Sequence, residues 1–549
     1  MTQDQDAKGK VELKRNVKEA AMDVVPNLVA LAYTEPYLSD KGCLNALTVS
    51  DRLDRGVQRL RRTFEGLEVE LLVVDRELFE SDVRDSTLFE VAAGRLLFPY
   101  IALVGEDYLT HWDGLYKQRK IRESLTTLAL EHPELLSELL IDPRYFVHDG
   151  LLKLTHILPQ ASELLQSLDD EGSKLMEGYV GAIRELERAG TIHFKGDFIA
   201  VDKCFIDSVL SRGISISDQL VQVQRQLHGL IKLGLSGVVD LIWSLPRFSI
   251  EDLVSTALGS TVLPKSHRFL NFPTTTGLAP LSESTNIHEM LAKLESPSLV
   301  GRAKLQRLGG VLNEVYLLTY TVDRKKRRAI VKRYPNWVSL KWAPIALWTL
   351  GTQNFAVLGK SRMERECATN SLLRRSEIQV PWIFHTSFKD RLLLREYVEG
   401  EILVDIVRAA IRRGGPHVKE KGLLKRAGKT VADVHGAGVT LGDCKPENFI
   451  VKKSGDLVII DLEQGARGGN ETWDLAEFLY FSGHYAGPLD PLGGVAETTR
   501  CFIEGYVDGG GSRRLVAEAS RLRYTKVFTP ITMPQVIYTI SKICRREGE

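Results

Sequence analysis

The sequence predicts an α+β chain of several domains, and three observations carry that reading. Apolar strand-like runs alternate with charged windows over residues 20–110, helical periodicity takes over from 112 to 168, and the segment 305–334 reads as strand, glycine turn, strand, basic turn, strand. A length of 549 residues allows three or four domains of ordinary size. Hydrophobic residues at 44% and charged residues at 26% fit several globular cores. The balance of 72 basic against 71 acidic residues gives no support to binding of nucleic acid or membrane by bulk charge. Six cysteines lie far apart with no C-x-x-C pair, which argues against zinc ribbons and disulfide frameworks and for a reducing cytoplasm. The N-terminus MTQDQDAKGK lacks an apolar signal core. The longest apolar run, LIKLGLSGVVDLIWSL, is broken by Lys232 and Asp240 and reads as a buried or amphipathic helix.

In the first domain, residues 1–168, LVALAY, LEVELLVVD and LLFPYIALV read as strands, and VSDRLDRGVQRLRRTFEG reads as a charged helical window. Residues 169–215 give an amphipathic helix and then two short strands around Lys195, Gly196 and Asp197, the order of a winged helix. Glu177, Glu185 and Glu187 stand beside Arg184 and Arg188 on that helix, so its charge disfavours a phosphate backbone, and a structural or docking role is read ahead of the alternative, DNA binding. Residues 216–297 read as helices and a linker, the Thr-, Ser-, Pro- and Gly-rich stretch 266–285, with the major boundary near 297.

The last domain, 298–549, contains the chemistry. In LGDCKPENFIV, Asp443 precedes Lys445 by two and Asn448 by five positions, and FIV starts a strand that a Ser-Gly-Asp turn reverses into LVIID, ending at Asp461. Phosphoryl transfer needs a carboxylate near the acceptor hydroxyl, a cation on the moving phosphoryl group and hard oxygen ligands for magnesium. This hairpin offers all of them at one end.

D-C-K-P-E-N resembles the D-x-K-P-x-N catalytic loop of eukaryotic-like protein kinases, and IIDLEQ resembles their metal-binding D-F-G strand. The resemblance implies a two-lobed kinase-like fold binding ATP and Mg, with Asp443 as catalytic base, Lys445 as phosphate contact, and Asn448 and Asp461 as metal ligands. Upstream, Gly309 and Gly310 form a glycine turn, and Lys332 in AIVK resembles the V-A-I-K lysine that holds nucleotide phosphates. In SRMERECATNSLLRR, Glu366 is chosen over Glu364 to orient that lysine, because its distance from Leu372 and Leu373 suits an inner face while Glu364 reads as a solvated charge. Glu396, Tyr397 and Val398 follow an apolar strand and resemble the hinge that pairs with adenine.

Departures sharpen the resemblance. Leu441-Gly442-Asp443 replaces H-R-D, a feature similar to aminoglycoside phosphotransferases, the RIO family and the kinase subunit of the KEOPS complex. Leu462 and Glu463 replace the Phe and Gly of D-F-G. Asp474, in a position that resembles the helix Asp bracing the catalytic loop, follows Asp461 by thirteen positions, too few for an ordinary activation segment. Regulation by loop phosphorylation is therefore not expected. Trp337, Trp342 and Trp348 fall in an insertion between Arg333 and Arg362 that reads as packed core ahead of a lid, and Cys444 reads as incidental.

The first domain faintly resembles nucleotidyltransferases, but Ala46 to Val49 occupy the place of their paired acidic residues, so the implied role is partner or nucleotide binding. The reading is thus a cytoplasmic, ATP- and Mg-dependent serine/threonine protein kinase of atypical type, with a protein substrate and a possible partner protein at the N-terminal domains. A small-molecule phosphotransferase and an ATP-binding scaffold are the alternatives.

Overall fold

The computed structural model describes residues 2–34, 43–64, 67–155, 157–158, 160–212, 265–295, 303–309, 314–322, 324–335, 355–356 and 358–549. The chain is α+β and forms two compact units, Met1–Leu136 with Leu140–Leu270 and Ser137–Leu139 with Asn271–Glu549.

The first unit opens with helix α1 (Thr2–Met22) and a sheet ordered β3-β4-β2-β1-β5, built from β1 (Leu28–Thr34), β2 (Cys43–Ser50), β3 (Val57–Phe64), β4 (Leu67–Asp75) and β5 (Tyr100–Val104). Only β2 and β4 run parallel. Val17 and Ala21 of α1 join Leu31, Tyr33, Val69, Leu71 and Val73 in one core, so the alternate residues of β1 and β4 face that helix. The charged window 49–66, expected to be helical, contains strand β3. Arg59 and Arg61, two positions apart, share a face and both donate to Glu70 of β4, at 2.5 and 3.0 Å. A period of two aligned with a cross-strand carboxylate outweighs the helical charge pattern.

Helices α2 (Arg76–Asp85), α3 (Glu106–Glu131), α4 (Arg144–Leu154) and α5 (Gln160–Arg188) follow. Strands β6 (Leu140–Ile141), β7 (Ile192–Lys195) and β8 (Phe198–Val201) come next, and β7 and β8 form a hairpin turning at Gly196 with Ile141 beside Ile199. Helix α6 (Lys203–Arg212) ends the described part of this region. The apolar run LIKLGLSGVVDLIWSL lies outside the described residues, among which no helix is long and apolar enough to cross a membrane.

In the second unit, the stretch read as a linker holds a hairpin, β9 (Leu270–Thr274) and β10 (Gly277–Pro280). Its small polar residues mimic linker composition, but the turn between the strands is held by bonds to a later strand: Thr275 N donates to Ile383 O at 3.1 Å and Thr276 Oγ1 to Phe384 O at 2.7 Å. Helix α7 (Ile287–Leu294) starts with a reciprocal capping box between Asn286 and Glu289. It buries Met290 and Leu291 against an antiparallel sheet ordered β11-β12-β13-β15-β14, from β11 (Lys304–Gly309), β12 (Glu314–Val322), β13 (Lys325–Arg333), β14 (Ile383–Ser387) and β15 (Leu392–Glu396). Between β13 and β14 runs helix α8 (Gly359–Arg375).

A larger, mainly helical part follows: β16 (Glu401–Ile402), α9 (Leu403–Arg413), α10 (Val418–Gly436), β17 (Val439–Thr440), the hairpin β18 (Phe449–Val451) and β19 (Leu457–Ile459), β20 (Ala466–Arg467), and helices α11 (Glu471–His484), α12 (Leu492–Asp508), α13 (Arg513–Ala519), α14 (Leu522–Phe528) and α15 (Pro534–Gly548). Its core gathers Val407 and Ile411 of α9, Leu424 and Val431 of α10, Phe449 and Ile459 of the hairpin, and Phe478 and Phe502, which stack at 3.9 Å. Helices α10 and α12 touch backbone to backbone, because a Cβ at Gly428 would collide with Phe502 O and one at Gly505 with Lys425 O.

Candidate functional site

Lys332 sits on the central strand β13, opposite Val315 and Leu393, with its side chain 1% exposed. An ammonium buried that deeply requires compensating charge. Its Nζ lies 2.6 Å from Glu366 Oε2, 2.8 Å from Asp461 Oδ1 and 3.3 Å from Glu463 Oε2. Burial alone would push the ammonium down, but Asp461, Glu366 and Glu463 outweigh it and hold Lys332 above its ordinary range. Glu366, on the inner face of α8, is fixed from three sides: Tyr334 OH donates to it at 2.5 Å and Arg395 Nη1 at 2.9 Å, besides Lys332. Arg395 also donates to Ile460 O, tying the sheet to the strand that leads into Asp461. Arg362, one turn before Glu366, stands 3.5 Å from Glu463 and donates to Pro335 O. Burial raises the Glu463 carboxyl, reinforced by Asp461, whereas for Asp461 the neighbouring Lys332 outweighs burial and keeps it low. Asp461 is the outlet of this cluster, with 29% of its side chain exposed against 2% for Glu366 and 6% for Glu463.

The second group is built on the turn before β18. Gly442 has φ +68, a left-handed conformation that favours glycine, and it turns the chain so that its amide and that of Leu441 both point at Asp474 of α11, at 2.8 and 2.7 Å. Asp474 also meets His435 Nε2 at 3.2 Å, so the loop backbone hangs from one fully buried carboxylate. Asp443 contacts Lys445 Nζ and accepts from Asn448 Nδ2 at its backbone oxygen, 2.7 Å, and at Oδ2, 3.1 Å. That arrangement spends the Asn448 amide nitrogen and leaves its amide oxygen for a cation. Burial would lower Lys445, but Asp443 and Glu477 raise it. Ile460 N donates to Asn448 O at 2.9 Å, so the hairpin register puts Asn448 and Asp461 at one end of β18 and β19.

The residues singled out from sequence are therefore distributed as follows. Lys332, Glu366 and Asp461 meet in one cluster; Asp443, Lys445 and Asn448 meet in a second, joined to the first through the Asn448–Ile460 bond. Gly309 is the last residue of β11, beyond a bulge opposite Val315, while Gly310 and Trp337, Trp342 and Trp348 lie outside the described residues. Glu396 ends β15 opposite Ala329 and spends its carboxylate on Trp382 N at 3.1 Å, and Val398 is buried just after it. Glu364, expected to be solvated, is buried with Lys360 at 3.7 Å. Cys444 is fully buried, and burial together with Asp474, Glu477 and Asp443 pushes its thiol well up, which disfavours a reactive thiolate.

Sequence reasoning missed Glu477. It accepts from Cys444 N at 2.8 Å and from Trp473 Nε1 at 3.1 Å and stands 3.9 Å from Lys445. Burial and the nearby Asp443 raise its carboxyl well above the ordinary range. A spacing of three from Asp474 on one helix face was the available signal. Arg362 carries the same kind of signal, four before Glu366.

No protein-family model matches the chain. A stretch of 105 residues, 19% of the chain, is 28% identical to the KEOPS complex subunit Bud32 of Pyrococcus abyssi and spans 45% of that protein. The likeness amounts to a distant kinase-like relation, and the chain spans less than half the length of the relative it matches.

Proposed function

We propose that the second unit is an ATP-dependent phosphotransferase and that its acceptor is a protein serine or threonine hydroxyl. One observation carries the reading: a lysine on the sheet is clamped to a helix carboxylate and to the Asp two residues past β19, while a second Asp with its own Lys and Asn stands at the same end of that hairpin. In this reading the Lys332 ammonium grips the nucleotide phosphates and Glu366 keeps it aimed. Asp443 faces the acceptor and takes the hydroxyl proton as the new O–P bond forms and the bond to the ADP leaving group breaks. Lys445 balances charge on the transferred group. The oxygen donors of Asn448 and Asp461, one of them the exposed member of the cluster, fit magnesium, which when bound neutralises charge on the phosphate oxygens. Lys445 supports a protein acceptor, because the resemblance places that lysine in protein kinases.

A small-molecule acceptor is the second reading, supported by Gly442 before the base and by helix α11 starting only ten positions after Asp461. Labelled ATP offered with basic and acidic protein substrates and with a metabolite panel separates the two. Label entering protein hydroxyls and lost in Asp443→Asn supports the first; label confined to metabolites defeats it. Retention of all turnover in Asp443→Asn defeats both. The relative named above belongs to a complex, and by analogy the first unit is the surface proposed to carry a partner protein.

A further inference from the structure

We infer that the first unit holds a zinc-class divalent cation at the C-terminal end of α3, on Glu131, His132 and His267. Glu131 is the last residue of α3, His132 caps the helix with its N–H on Leu128 O, and His267 belongs to the turn Lys265–Phe269. Each offers one ligand atom, and the three lie within 4.8 Å of one another. His267 Nε2 stands 3.6 Å from Glu131 Oε2. Two ligands each about 2.0–2.1 Å from a tetrahedral zinc lie roughly 3.4 Å apart, so this edge needs almost no adjustment. The two rings meet edge to face, with centroids 5.6 Å apart and an interplanar angle of 62°.

Burial makes the set informative. His132 is 1% and His267 3% exposed, so both imidazoles lie at the buried side of the set. Glu131, in contrast, is 43% exposed and opens the site to solvent. The helix C-terminus adds its own partial negative charge, which favours a cation. Two imidazoles and one carboxylate suit zinc and its borderline neighbours, whereas magnesium prefers oxygen alone. Three protein ligands leave a fourth position for water. The ligands come from segments 135 positions apart, so the ion would pin the 265–269 turn onto α3.

The test is a zinc titration of the full chain against a chromophoric chelator, run beside thermal melts with and without zinc. The expected result is one tight equivalent in the wild type, weakened at least about 10–100-fold in His267→Gln and His132→Gln and unchanged in Asp461→Asn, with a zinc-dependent rise in Tm confined to chains that keep both histidines. Glu131→Gln, at an exposed position, keeps the comparison available should a histidine variant fail to fold, and it too should bind more weakly. Wild type binding zinc no tighter than Glu131→Gln, or an equivalent lost only in Asp461→Asn, overturns the inference.

Discussion

Two buried charge clusters, one in each unit, are built from the same residue types and differ in what they leave available. In the first unit, Asp82 accepts from the amides of Leu88, Glu90 and Ala93 at 2.8, 3.0 and 2.9 Å. Glu90 accepts from Ser86, Tyr116, Arg119 and Lys120 at 3.0, 3.2, 2.8 and 3.2 Å. Ser86, Phe89 and Glu90 all have positive φ, so these bonds hold a sharply bent segment in place. Both carboxylates are consumed by the fold. Around Lys332 in the second unit, three carboxylates and three cations also balance, but Asp461 reaches solvent and Glu463 has two alternative cations, Lys332 and Arg362. Buried charge therefore points to chemistry only where one member stays open to a ligand.

The largest effect expected from this contrast is on turnover. Asp443→Asn should lower phosphoryl transfer by about 10²–10⁴-fold while leaving the melting curve in place, since on the proposed reading the residue serves a proton and not the core. Single-turnover assays with labelled ATP measure this, and near-normal transfer would make the Asp443 group as structural as the Asp82 cluster. Asp474→Ala should act on both quantities. Freeing the Leu441 and Gly442 amides is worth about 3 kcal/mol of stability and should also lower turnover, as read by urea denaturation and the same assay.

A pH titration tests the first cluster. Burial raises Asp82 to about 6 from 3.8, against the pull of its three amides. The folded chain therefore holds that proton more tightly than the unfolded chain, so stability is greatest below about pH 4 for this group and falls as pH rises to about 6. The contribution, about 3 kcal/mol at two pKa units, should vanish from denaturation midpoints in Asp82→Asn. A midpoint that climbs from pH 5 to 7 more steeply in wild type than in the variant would reverse the assignment. The smallest effect belongs to Glu463→Gln. Removing the most distant of the three carboxylates from Lys332, at 3.3 Å, should tighten ATP about 3–10-fold, roughly 1 kcal/mol, in equilibrium binding. Weaker binding instead would assign Glu463 to the cation.

The legibility of the sequence followed the range of the interaction. Asp443, Lys445, Asn448 and Asp461 could be read because a turn and a hairpin set their spacing locally, and Lys332 because a strand of four buried residues ends in a charge. The window 49–66 misled because Arg59 and Arg61 are charged on both readings, and only Glu70 on the next strand decides between them. The stretch 266–285 misled for the same reason, since Thr275 and Thr276 find their partners more than a hundred positions away.

By itself the amino-acid order determined the α+β class, the hairpin that carries the four polar groups and the helix that follows it, all consequences of contacts a few residues apart. Tertiary structure alone decided that Glu463, Arg362 and Glu477 share those sites, and that Glu131 and His132 meet His267. The physical reason is that a side chain's charge is written in the chain, whereas the charge it faces once water is removed depends on segments that folding brings together.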